Sequence, residues 1–86
     1  MDTFWMLCAH YKGLPVIPAT RVCTDFFSHL SPEKFNRKVE DGTIRLPLVR
    51  METSQKSVKG VYVRDLANYL DERHREAQAS LDRLHN

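Results

Sequence analysis

Residues 30–44, LSPEKFNRKVEDGTI, contain both a start signal and a stop signal for a helix. Ser31 is a favourable N-cap, and Pro32 falls at the first helical position, where a missing N–H group costs nothing. Gly42 supplies a stop, because glycine readily adopts the left-handed conformation that ends many helices. The stretch therefore predicts a short helix over residues 32–41, with a defined start and a defined end.

This predicted helix carries more positive charge than packing requires. Phe35 and Val39 form its apolar side, whereas Lys34 and Arg37 project away from that side and Lys38 lies on its flank. A solvated surface helix with idle lysines is one explanation, and a helix that faces a polyanion is the other. The rest of the sequence has to decide between the two.

The positive charge of the chain is concentrated in its middle third. The net charge is only +2, but residues 31–60 carry seven cations against four anions. Residues 1–30 are balanced, and residues 61–86 carry four cations against five anions. A local basic surface attracts polyanions even when the whole chain is nearly neutral.

Length and composition limit the chain to a single small globular domain. It has 86 residues, of which 42% are hydrophobic, and no stretch long enough to cross a bilayer. Its first residues lack a basic lead-in and a cleavage site, so we expect no secretory signal and a cytoplasmic location. Two cysteines, Cys8 and Cys23, cannot form a disulfide framework, and we expect both to be reduced and buried.

Helical periodicity is also present in the sequence before residues 30–44. Apolar residues at helical spacing predict a first helix over residues 2–12 and a second that begins near Pro18 and extends to Phe27. The segment between them, KGLPVIP, contains one glycine and two prolines and predicts a break. Residues 28–30 predict a tight connection into the third helix.

The apolar period changes from helical to alternating after Gly42. Val49 and Met51, and then Val61 and Val63, predict two strands joined by the polar, acid-free loop TSQKSVKG. A last helix is expected from Asp65 onward. The prediction is a mainly α protein with a small β-hairpin, resembling a winged helix-turn-helix, with a DNA-binding core over residues 1–64 and a C-terminal helix over 65–86.

In a helix-turn-helix module the second helix enters the major groove of DNA. The basic loop of the hairpin supplies a second cationic element at the position of a wing, and two such elements favour a duplex over an idle surface. The free N–H groups of the first turn, together with its cap, could bind a phosphate. The candidate DNA-binding residues are Ser31, Lys34, Arg37, Lys38, Arg50, Gln55, Lys56 and Lys59.

The last helix is longer than a domain of this size needs. Its apolar residues recur at spacings of four, three, four and three, which is a heptad seam and predicts a homodimer. A frayed tail with scattered leucines is the alternative. Trp5 lies off the main face of the first helix and is a further contact candidate. The seam residues are Leu70, His74, Ala77, Leu81 and Leu84, of which all but His74 are predicted dimer contacts.

Metal binding and catalysis find no support in the sequence. The cysteines and histidines lack zinc spacing, and no nucleophile, phosphate-loop or metalloprotease motif is present. We therefore predict no enzyme, no metal, no cofactor and no small-molecule ligand. The main rival to a DNA-binding regulator is a protein-binding adaptor that docks on RNA polymerase or on a repressor through its terminal helices.

Three segments resemble the pyocin activator (PrtN-type) family of bacterial and prophage transcriptional regulators. They are VIPATRVCTDFFSHLSPEKFNRK, LPLVRMETSQKSVKG and VYVRDLANYLDER, within a similarity that extends from about residue 4 to residue 73. The resemblance implies sequence-specific DNA binding in the bacterial nucleoid and activation of phage-derived or bacteriocin genes. By position, SPEKFNRK would be the recognition helix and SQKSVKG the wing.

Overall fold

The protein is mostly helical, with a small three-stranded sheet and a long C-terminal helix. A computed structural model describes residues 2–53 and 59–85. In chain order the elements are α1 (Thr3–His10), β1 (Val16–Pro18), α2 (Ala19–Phe26), α3 (Pro32–Glu40), β2 (Val49–Arg50), β3 (Lys59–Tyr62) and α4 (Val63–His85). This order is compatible with a winged helix-turn-helix arrangement.

The sheet contains one strand more than the predicted hairpin. Its strand order is β1-β3-β2, and both pairings are antiparallel. Strand β1 comes from the segment KGLPVIP, which its glycine and prolines mark as a break. The segment pairs nevertheless, because β1 is an edge strand, where proline is tolerated, and Ile17 lies opposite Val61 with both side chains completely buried.

The two hairpin strands are confirmed, but their limits differ from the prediction. Strand β2 ends at Arg50, before Met51, and β3 begins at Lys59. Val63, predicted to lie in a strand, is the first residue of α4, so that helix starts two residues before Asp65. The Val63 N–H group donates to the carbonyl of Pro15 at 2.9 Å, which ties the start of α4 to the segment before β1.

The helix limits follow local sequence signals. The Asp2 carboxylate caps α1 by accepting from the Phe4 N–H group at 2.9 Å. Ser31 caps α3 as predicted, and Gly42, with φ +83°, ends it in the left-handed conformation. The predicted helix over 2–12 is shorter than expected, since Lys12 and Gly13 both have positive φ.

One hydrophobic core joins the four helices with strands β1 and β3. Helix α1 packs along α4, and α2 packs against α3 and the sheet. The most deeply buried side chains are Tyr11, Ile17, Val22, Phe35, Val61 and Leu66. Both cysteines are free; Cys23 is buried as predicted, whereas Cys8 is half-buried. Within residues 2–53 and 59–85, no helix combines the length and the apolar character that a bilayer crossing requires.

Candidate nucleic-acid interface

Helix α3 is fixed to the core by one aromatic side chain. Phe35 is 1% exposed, and its ring lies 4.9 Å from the ring of Phe27, the residue that follows α2. The Ser31 hydroxyl accepts from the Lys34 N–H group at 3.2 Å, so the first turn is capped. The helix is thus held by its inner side and by its N-terminus, and its outer side is left to the solvent.

The cations of α3 lie on that outer side. Lys34 and Arg37 are exposed and Lys38 is half-buried, as the periodicity predicted. Within the described part of the chain, no carboxylate oxygen lies within 4.0 Å of the charged nitrogens of these three residues. Two of the four arginines of α4, Arg73 and Arg75, are in contrast each paired with a glutamate on their own helix.

The C-terminal end of α3 carries an ionised acid. A hydrogen bond from the Thr43 side chain, followed by one from the Thr43 N–H group at 2.9 Å, lowers the pKa of Asp41 below its usual value. Lys38 and Arg37 lower that pKa further by charge attraction. Asp41 therefore places a negative charge near Arg37 and Lys38, and Glu33 places another in the first turn beside Lys34.

The hairpin contributes two described cations. Arg50 is exposed on β2, where it lies opposite Lys59 on β3. Lys59 belongs to a strand rather than to the loop tip where the sequence placed it, and its ammonium group lies 3.5 Å from the carboxylate of Glu40 in α3. This ion pair ties the base of the hairpin to the end of α3. Gln55 and Lys56 lie outside the described residues.

Trp5 and three of the four predicted dimer contacts of α4 are exposed. Ala77, Leu81 and Leu84 are exposed, and Leu70 is partly buried. Trp5 is 66% exposed and packs edge-on against Phe4, with 5.5 Å between their ring centroids.

Two exposed apolar residues were missed at the sequence level. Met6 in α1 and Phe26 in α2 are 55% and 36% exposed, and they line a groove together with Leu70. Met6 lies off the apolar face of α1, whereas Phe26 follows the apolar spacing of the second helix. Only the packing of three helices brings the two residues together.

A polar contact fixes α1 to α2 beside this groove. The hydroxyl of buried Tyr11 donates to the carboxylate of Asp25 at 2.5 Å. Burial, followed by this hydrogen bond, raises the pKa of Tyr11 well above its ordinary value. Within residues 2–53 and 59–85, no three His, Cys, Asp or Glu side chains are grouped closely enough to hold a metal ion.

Comparison with known proteins identifies the family. A family model described as pyocin activator protein PrtN matches residues 3–77 of the chain. No curated protein and no solved structure matches it. The matched region includes α1, α2, α3, the hairpin and the first two-thirds of α4, and the family is one of regulators. The chain therefore belongs to the pyocin activator PrtN family.

Proposed function

We propose that the protein is a sequence-specific DNA-binding activator of phage-derived or bacteriocin genes that acts as a homodimer in the bacterial nucleoid. The family supports a role in transcriptional activation. DNA recognition by α3 and the hairpin, and dimerisation through α4, are the parts of the proposal that the family alone does not supply.

The observation that carries the proposal is the contrast between the two sides of α3. Phe35 anchors the helix, while Lys34 and Arg37 are exposed without a carboxylate partner in the described chain. On α4, by contrast, Arg73 and Arg75 are each paired with a glutamate of the same helix. Exposed cations on an outward face, next to a capped helix N-terminus, suit phosphates and base edges.

The hairpin has a supporting role in this proposal. Arg50 is exposed on β2 and is placed to reach a phosphate beside the groove that α3 enters. Lys59 keeps its predicted role as a phosphate contact, but its ion pair with Glu40 would have to exchange for the phosphate. Gln55 and Lys56 complete the proposed wing by their position in the sequence.

Two substitutions test α3 directly. We expect Lys34→Ala and Arg37→Ala each to weaken binding to the preferred duplex, by about 1–3 kcal/mol where a base contact is lost. Where a phosphate contact is lost instead, the slope of log affinity against log salt should decrease by about one unit. The preferred duplex is first selected from random DNA, and affinities are then measured by fluorescence anisotropy at several salt concentrations.

Arg75→Ala is the matched control, because it removes one positive charge from an exposed helix outside the proposed interface. The control should bind like the parent protein. If Lys34→Ala and Arg37→Ala also bind like the parent, α3 is not the recognition helix. If no duplex is selected and binding requires RNA polymerase or a repressor at any salt concentration, the protein is an adaptor instead.

A further inference from the structure

The distal half of α4 extends beyond the rest of the domain. Every residue from 71 to 85 is exposed, and 15 helical residues span about 22 Å. This segment nevertheless has an apolar stripe, in which Leu81 is 47% and Leu84 is 82% exposed. Nothing in the described chain covers the stripe.

An apolar groove lies where the other helices meet α4. It has a volume of about 570 Å³ and opens between α1, the end of α2 and the middle of α4. Its apolar lining includes Met6, Leu7, Phe26 and Leu70, and its polar lining includes His10 and Asp25. Met6 and Phe26 leave apolar surface in water there, as the leucines of distal α4 do.

The stripe and the groove share one face of α4. Tyr69 packs against Phe27, the residue after α2, with 5.9 Å between the ring centroids, and Asp71 accepts a hydrogen bond from Thr3 of α1 at 2.6 Å. Leu70 lies between these two contacts and faces the groove. Residues 77, 81 and 84 follow residue 70 at heptad spacing, so the stripe continues along the helix from the groove.

The chain exposes more surface than a compact monomer of its size. Its accessible surface is 6443 Å², whereas a monomer of 10.1 kDa is expected to expose about 5,300 Å². Its radius of gyration is 14.3 Å, against about 12 Å for a compact domain of this length. The excess, about 1,100 Å², exceeds the roughly 800 Å² that each partner buries in a stable interface.

We propose that the groove is the acceptor for the distal α4 of a second copy of this chain, in a twofold and antiparallel arrangement. The second copy's Leu81 and Leu84 pack against Met6, Phe26 and Leu70, and the same contacts form in the other direction. One symmetric interface thereby covers both grooves and both stripes. The twofold axis then crosses α4 midway between Leu70 and Leu81.

The proposal deepens the homodimer of the proposed function, since it assigns both the acceptor surface and the antiparallel orientation. It does not depend on α3 or on DNA.

Disulfide trapping between two full-length chains tests the arrangement. All variants contain Cys8→Ser, and Cys23 is kept because it is buried. A Met6→Cys chain is mixed with a Leu81→Cys or a Leu84→Cys chain, and the mixture is oxidised mildly. The two chains carry tags of different mass, so that a crosslink between them can be told from a crosslink between identical chains. A disulfide requires Cα atoms within about 7 Å, so we expect crosslinks between the two kinds of chain with at least one of these leucine variants.

Two outcomes of the trapping would overturn the proposal. Absence of a Met6 crosslink with both leucine variants would show that the groove is empty. A Leu81→Cys chain that crosslinks efficiently to itself would indicate parallel pairing, because antiparallel pairing keeps the two copies of residue 81 about 16 Å apart along the helix. Ala79→Cys, on the opposite side of the helix, is the control and should not crosslink to Met6→Cys.

Sedimentation provides an independent measurement. The parent should sediment at twice its chain mass of 10.1 kDa at micromolar concentration. Leu81→Asp should sediment as a monomer, whereas Ala79→Asp, which adds the same charge on the opposite face, should remain a dimer. A monomeric parent, or a dimeric Leu81→Asp variant, would refute the packing of distal α4 into the groove of a second copy. DNA binding is measured on the same samples. Specific DNA binding without groove crosslinks would contradict the proposed helix-in-groove dimer but not the proposed DNA-binding function.

Discussion

Gly60→Ala tests how closely the sheet is packed beneath the proposed wing. Gly60 lies in the central strand, opposite Pro18 of β1 and Val49 of β2, and its backbone is buried. A Cβ atom at this position would lie 2.5 Å from Val16 Cγ1 and 3.1 Å from the carbonyl oxygen of Ile17. The Val16 side chain is branched at Cβ, so it cannot simply turn away.

The expected loss of stability is the difference between two terms. Overpacking of this kind costs about 1–3 kcal/mol. Alanine also restricts the unfolded chain, which stabilises the fold by about 0.4–1 kcal/mol. We therefore expect Gly60→Ala to lower the free energy of unfolding by about 1–2 kcal/mol, and to lower Tm by about 4–8 °C for each kcal/mol.

A double-mutant cycle with Val16→Ala isolates the steric cause. Removal of Cγ1 eliminates the closer of the two contacts, so adding Gly60→Ala to that background should change stability by less than about 0.5 kcal/mol. Urea unfolding followed by circular dichroism measures all four proteins. Equal destabilisation by Gly60→Ala in both backgrounds would refute the proposed contact between β1 and β3.

Three further substitutions test single contacts. Tyr11→Phe should lower stability by about 0.5–1.5 kcal/mol through loss of the hydrogen bond to Asp25. Because the pKa of Tyr11 is raised in the fold, its protonated hydroxyl contributes stability that is lost as the pH rises above about 10. The free energy of unfolding should therefore fall less steeply with alkaline pH in the variant than in the parent. The pKa of Asp41 is lowered, so its contribution is lost as the pH falls through and below its ordinary value of 3.8; Asp41→Asn should flatten that acid limb. Ser31→Ala should lower Tm through loss of an N-cap worth about 0.5–2 kcal/mol, whereas Ser31→Asp should retain most of it.

Local signals in the sequence were sufficient to predict the helices and the hairpin. Ser31, Pro32 and Gly42 set the limits of α3 through capping and backbone conformation, which depend on only a few neighbouring residues. Helical periodicity likewise separated the inner side of α3, with Phe35, from its cations. The family motifs within residues 3–77 are also a property of the sequence alone.

Contacts between distant segments were decided only by the tertiary structure. Strand β1 forms because Ile17 and Val61, 44 residues apart, bury each other, which outweighs the local signal of glycine and proline. The same applies to the pair of Lys59 with Glu40 and to the groove that Met6 shares with Phe26 and Leu70. These contacts depend on how the helices and strands pack together, which local sequence patterns do not specify.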